Sequence, residues 1–221
     1  MRMKAVIFDM DGVIFDSERA VFNGWKELEE KYGFANLEIP YFRCIGTNFG
    51  TTTGIFKEFY GEDFPFEKLA AEQSENYHKK YDGGRLPLKK GIRELLTYLK
   101  ENGYYTAVAS STRSSLVRQQ IIDAGFELMF DRIIGGDMVT RSKPEPDIFL
   151  MAAEGCGADI GDIFVIEDSF NGIRAASRAG MRPIMVPDLV EPDDEIKGLA
   201  ETVLPDLLAV KEYISASEHR Q

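Results

Sequence analysis

Asp9 and Asp11 lie two residues apart, directly after the apolar run Ala5–Phe8 and just before Gly12. In extended backbone, residues i and i+2 point to one side, so both carboxylates can face one ligand. An ionised carboxylate can attack phosphorus and form an aspartyl-phosphate. Two acids can then divide the work: one attacks, while the other protonates the leaving oxygen and later activates water. Asp and Gly are also frequent turn formers, so a structural turn is an equal reading of these residues alone.

An anionic nucleophile approaching a phosphate is repelled. Like charges 4 Å apart repel by about 1 kcal/mol in water and about 4 kcal/mol near a protein surface. Magnesium held by one or two carboxylates and a phosphate oxygen offsets this. Glu167 and Asp168 follow the apolar run 163–166 and supply the remote acids. Adjacent side chains diverge along a strand, which favours Asp168 as ligand and leaves Glu167 as a second ligand or an outer partner. Asp168 also suits a helix N-cap. Grouped carboxylates repel unless a cation holds them, which weighs against that simpler role.

Ser110 and Ser111 follow the run 106–109 and precede a helical pattern. Helix N-termini offer free N–H groups to phosphate, although Ser also caps helices widely. Lys143 stands before Pro144 and Pro146, which pin its loop. An ammonium there can steady a phosphoryl oxygen and the ionised nucleophile; a solvated surface lysine is the alternative.

These residues need a scaffold. Short apolar runs at Ala5–Phe8, 106–109, 132–134, 163–166 and 183–186 read as strands buried on both faces. Helical patterns lie between most of them, one carrying Ile92, Leu95, Leu96 and Leu99 ahead of Gly103. That rhythm predicts a parallel α/β sheet. It breaks over 17–85, where only helical patterns occur, including Val21, Trp25, Leu28 and Tyr32 on one face. The expected division is a core of 1–16 and 86–221 with a helical cap of 17–85. Such an insertion sits at the carboxyl end of the sheet and can act as a lid. Loop 43–48 between cap helices makes Arg43, Thr47 and Asn48 candidate substrate contacts, with a solvated loop equally open.

Composition bounds the partners. The formal net charge is −11 over 221 residues, which argues against nucleic acid and anionic membrane. No run approaches the roughly 20 apolar residues of a spanning helix, and Asp9 interrupts the N-terminal one. The two cysteines, Cys44 and Cys156, do not make a disulfide framework, so a cytoplasmic protein is expected. His78 and His219 are remote from every motif, which disfavours a Ser–His–Asp hydrolase. The aromatics Phe22, Trp25, Phe56, Phe59 and Tyr60 read as the insertion's own core. Nothing specifies an oligomer, and a monomer is expected.

Taken in order, Asp9-Met10-Asp11-Gly12-Val13, Asp16-Ser17-Glu18, Ser110, Ser142-Lys143-Pro144, Ile166-Glu167-Asp168-Ser169 and Asn171-Gly172 resemble the haloacid dehalogenase superfamily over nearly the whole chain. The likeness is greatest to its β-phosphoglucomutase-like phosphatases. The resemblance implies a Rossmann-like parallel core with an all-helical cap. It implies Asp9 as nucleophile and magnesium ligand, and Asp11 as general acid/base whose backbone carbonyl also serves the metal. Ser110 and Lys143 would bind phosphate, and Glu167 and Asp168 would hold Mg2+. Dehalogenase members lack an acid at the position of Asp11. Mutase members carry a cap-helix histidine where this chain has Val21, so transfer to water is expected. The resulting expectation is a Mg-dependent phosphatase of a small phosphorylated metabolite, foremost a sugar phosphate, with a sugar-phosphate mutase as the alternative. A non-enzymatic phospho-receiver ranks last, having no need of the insertion or of Asp11.

Overall fold

The computed structural model describes residues 4–45, 47 and 49–218. Six strands form one sheet: β1 (Ala5–Phe8), β2 (Tyr105–Ser110), β3 (Arg132–Gly135), β4 (Phe164–Glu167), β5 (Arg182–Met185) and β6 (Thr202–Val203). All pairings are parallel, in the order β3-β2-β1-β4-β5-β6. The fold is the Rossmann-like α/β class, with its topological switch at β1, between β2 and β4.

The strands form where they do because both faces are covered. Val6, Phe8, Val108 and Ile166 turn to one side, against α5 (Ile92–Glu101), α6 (Ser114–Asp123) and α10 (Leu207–Glu218). Ala5, Ile7, Ala107 and Val165 turn to the other, against α7 (Asp147–Ala153) and α8 (Phe170–Arg178). This is the two-residue alternation of a strand, apolar on both sides. Each fully buried aliphatic side chain contributes roughly 1.5–3 kcal/mol relative to exposure.

Between β1 and α5 the chain forms α1 (Ser17–Tyr32), α2 (Glu38–Cys44), α3 (Phe49–Tyr60) and α4 (Phe66–Tyr81). Trp25, Leu28, Leu37, Phe56, Phe66 and Leu69 make a separate buried cluster there. Trp25 stacks on Phe66 with ring centroids 5.3 Å apart. Leu189, which follows β5, packs against the same cluster, so the core reaches into the helical layer.

The sequence expectation omitted α2 and the elements at the core's far edge. Strand β6 and the helices α9 (Asp194–Leu199) and α10 complete the core's far edge, where no apolar run signalled a strand. Helix α10 buries Leu207, Val210 and Ile214 beneath an otherwise polar surface. His219 lies outside the described residues. Among the described residues no helix is long and apolar enough to cross a membrane.

Candidate active site

Strand register assembles the site. Phe8 pairs with Val108 on one side and with Ile166 on the other. The next residues along the three strands, Asp9, Ala109 and Glu167, therefore come level at one sheet edge, with Ser110 one step beyond. The Asp9 N–H donates to the Ile166 carbonyl at 2.9 Å, which fixes the start of the loop after β1.

Lys143 crosses beneath this edge. Its Nζ donates to Asp9 Oδ1 at 2.5 Å, to Glu167 Oε1 at 2.6 Å and to the Ala109 carbonyl at 3.1 Å. The ammonium also lies over the Phe149 ring, 4.8 Å from its centroid. An ammonium has three protons, and here all are taken. Any further acceptor must compete for one of them. Burial works against the charge on Lys143, yet Asp9 and Glu167 more than offset it and push its pKa up.

Glu167 is wholly buried and fully partnered. Its second oxygen accepts from the Asp168 N–H at 3.0 Å, the Ser169 N–H at 2.9 Å and Ser169 Oγ at 2.9 Å. A Cβ at Gly172 would fall 1.8 Å from the Glu167 carboxylate, so only glycine lets α8 approach this closely. The expected alternative role for Asp168, capping α8, belongs instead to Ser169, whose Oγ accepts from Gly172 N–H at 3.0 Å.

One carboxylate oxygen from each of Asp9, Glu167 and Asp168 lies within 4.8 Å of the others. The Asp168 side chain makes no hydrogen bond or ion pair among the described residues, so it is left facing the cleft. Burial, then the charges of Glu167 and Asp9, push its pKa well up. Asp9 is pushed up to about 8 by burial, with Lys143 opposing and Glu167 and Asp11 adding to the rise. Three converging carboxylates against one ammonium are short of positive charge. A hard divalent cation fits that oxygen-donor set. Gly12, at φ +75°, keeps the approach open: a Cβ there would lie 2.1 Å from Asp168 Oδ2.

Asp11 stands outside this triad by its side chain. Its carboxylate accepts from Ser17 Oγ at 2.8 Å and from Thr112 Oγ1 at 3.0 Å. It still lines the same cleft as Asp9, as the two-residue spacing anticipated. The cleft has a volume of about 800 Å³, and Ser110, Ser111, Lys143 and Thr47 also face it. Ser110 Oγ accepts from the Thr112 N–H at 3.0 Å, which shapes the turn before α6.

The structure turns Arg43 toward α3. It pairs with Glu58 Oε2 on α3 at 2.9 Å and does not line the cleft. On α2 the cleft-facing position is Phe42, with Ile45 three residues on at the helix end, and a helix turns residue 43 away from that face. Asn48 and Gly46 lie outside the described residues. Sequence reasoning missed Thr112 and Glu18. Thr112 carried no signal beyond its neighbours, whereas Glu18 stood in the Asp16-Ser17-Glu18 run without a role. Glu18 lines the cleft, and burial, with the charges of Asp11 and Asp188, pushes its pKa up to about 7.

The family model of the haloacid dehalogenase-like hydrolases matches residues 6–186, a span that contains Asp9, Asp11, Lys143, Glu167 and Asp168. The chain belongs to the haloacid dehalogenase-like hydrolase family. Within it, the chain is 33% identical over 192 residues to the phosphorylated carbohydrates phosphatase of Thermotoga maritima, covering 82% of this chain and 84% of that protein. It is likewise 33% identical over 215 residues to the β-phosphoglucomutase of Bacillus subtilis, covering 85% and 88%. The crystal structure of CbbY from Rhodobacter sphaeroides in complex with phosphate superposes with a TM-score of 0.67 at 26% identity, covering 93% of this chain and 95% of that one. This haloacid dehalogenase-like enzyme is a phosphoric monoester hydrolase by class.

Proposed function

We propose that the chain hydrolyses a small phosphorylated metabolite, foremost a sugar phosphate, through a phosphoryl group carried on Asp9. The convergence of Asp9, Glu167, Asp168 and Lys143 at one sheet edge carries this reading. Asp9, Glu167 and Asp168 would hold Mg2+, and the resemblance adds the Asp11 backbone carbonyl. When bound, the ion supplies charge neutralisation for phosphate beside an anionic nucleophile.

The chain's own groups do the rest. Lys143 holds one Asp9 oxygen, leaving the other to attack phosphorus in line. Asp11, steadied by Ser17 and Thr112, gives a proton to the leaving oxygen. The leaving alcohol departs, and Asp11 then takes a proton from the water that attacks the Asp9-phosphate. Ser110 and Ser111 border the phosphate end of the cleft. Residues 17–85 act as a cap that excludes bulk water during transfer. A cytoplasmic setting belongs to this reading, because Cys44 and Cys156 are both free thiols.

The mutase reading is supported by the likeness to β-phosphoglucomutase but lacks the cap histidine. Val21 packs against the cap's apolar cluster, and its carbonyl accepts from Gln73 Nε2 at 3.4 Å. No proton-transfer group stands at that position, so water is the acceptor. Incubation with a hexose 1-phosphate and Mg2+ separates the two readings. Free phosphate is expected, and accumulation of the hexose 6-phosphate contradicts hydrolysis.

A further inference from the structure

The cleft lining combines the charged groups at the sheet edge with a set of apolar side chains. From α2 and the residue after it, Phe42 and Ile45 project into the cleft, although 43% and 37% of each is exposed. The core answers with Phe170, Leu189 and Val190. These five are the apolar side chains of the cleft lining, and they would form its apolar wall beside a leaving group.

Among the described residues, every cation lining the cleft is already engaged. The two basic residues lining the cleft are Lys143 and Arg174. All three protons of Lys143 are engaged at the sheet edge. Arg174 is gripped by Glu195 through Nε at 2.8 Å and Nη2 at 2.6 Å, with Nη1 on Asn171 Oδ1 at 3.2 Å. Arg43, the other cation near the cap loop, is turned onto Glu58. By contrast, Glu18 enters the cleft with no hydrogen bond or ion pair among the described residues. A second phosphate would meet this carboxylate and an apolar wall, losing hydration without gaining a partner. A hydroxyl would find an acceptor in Glu18, and the C–H face of a sugar ring would find Phe42 and Ile45.

We propose that Glu18, Phe42 and Ile45 set specificity for a single-phosphate ester of a neutral polyhydroxy alcohol, taking a hydroxyl on Glu18 and a C–H face on the apolar wall, and excluding a second phosphate. This rests on the phosphatase reading above and adds the leaving group to it.

The test is phosphate release from paired substrates in saturating Mg2+: glucose, fructose and ribulose monophosphates against their bisphosphates, with p-nitrophenyl phosphate alongside. The best monophosphate is expected to exceed its bisphosphate by at least about tenfold in kcat/KM, equivalent to about 1.4 kcal/mol. Ile45→Lys, which places an ammonium in the wall, is expected to narrow that ratio, as is Glu18→Gln. A wild-type ratio below about tenfold overturns the inference without touching the phosphatase reading, and needs no variant to fold. A ratio unchanged in both variants overturns the assignment to Glu18 and Ile45. Turnover of p-nitrophenyl phosphate with no sugar monophosphate active overturns the sugar leaving group. No phosphate from any compound overturns the phosphatase reading, and this inference with it.

Discussion

Ser17 Oγ donates a 2.8 Å hydrogen bond to Asp11 Oδ1, which ties the first residue of α1 to the carboxylate two residues beyond Asp9. Ser17 is itself buried, and Thr112 Oγ1 holds the other Asp11 oxygen from the core side. The proposed acid–base group is thus clamped between the start of α1 and the loop after β2. Ser17→Ala is expected to lower kcat roughly tenfold with little change in KM, since a hydrogen bond to a charged group is worth about 1.5–3 kcal/mol. A kcat within twofold of wild type would remove Ser17 from this role.

The triad predicts how magnesium couples to stability. An acid whose folded pKa is raised binds its proton more tightly folded than unfolded. Stability without metal should therefore fall as pH rises from about 4, where the unfolded carboxyl ionises, to about 8, where Asp9 does when folded. Metal needs the ionised form, so its stabilisation should grow across the same window. The rise in Tm on replacing EDTA with Mg2+ is expected to be larger at pH 7.5 than at pH 5.5. An equal or reversed difference would contradict the placement of the ion among Asp9, Glu167 and Asp168.

Lys143 is the countercharge that makes this acidic edge foldable. Removing one partner of a buried ionic network costs about 3–5 kcal/mol. Lys143→Met is expected to lose stability on that scale in EDTA and to recover part of it in Mg2+, as measured by urea unfolding. A variant as stable as wild type in EDTA would show that Asp9 and Glu167 do not depend on it.

Gly12 offers a test by crowding rather than by charge. Gly12→Ala places a methyl 2.1 Å from Asp168 Oδ2 at a backbone φ of +75°, which only glycine adopts without cost. The Mg2+ concentration for half-maximal activity is expected to rise at least about tenfold. No change would mean that Asp168 can move aside without loss.

Much of this architecture was legible from residue order because β1 and β4 are covered on both faces and so read as unbroken apolar runs. The acids and Lys143 were legible because each follows such a run or sits in a proline-pinned loop. Strand β6 was not, being two partly buried residues at a sheet edge. Helix α2 was obscured by Pro40 and by its length of seven residues. Residue types along a strand suggested that Asp168 would outrank Glu167. The fold instead bends the chain after β4, so that both can converge with Asp9. Arg43 was misplaced because the face a short helix presents depends on what packs beside it, here Glu58 of α3. Glu18 gained meaning only when the cleft showed it without a partner.

The central claim is that Asp9 carries the phosphoryl group. Asp9→Asn is expected to reduce turnover of p-nitrophenyl phosphate at least about 1,000-fold. Asp11→Asn keeps Asp9 but removes the proposed group that protonates the leaving oxygen and activates water. Mass spectrometry of Asp11→Asn, quenched in acid during incubation with Mg2+ and p-nitrophenyl phosphate, whose leaving group needs no proton, should find one phosphoryl group on the peptide containing Asp9. Phosphate on another residue, or an unmodified Asp9 while Asp9→Asn still turns over, would contradict the account.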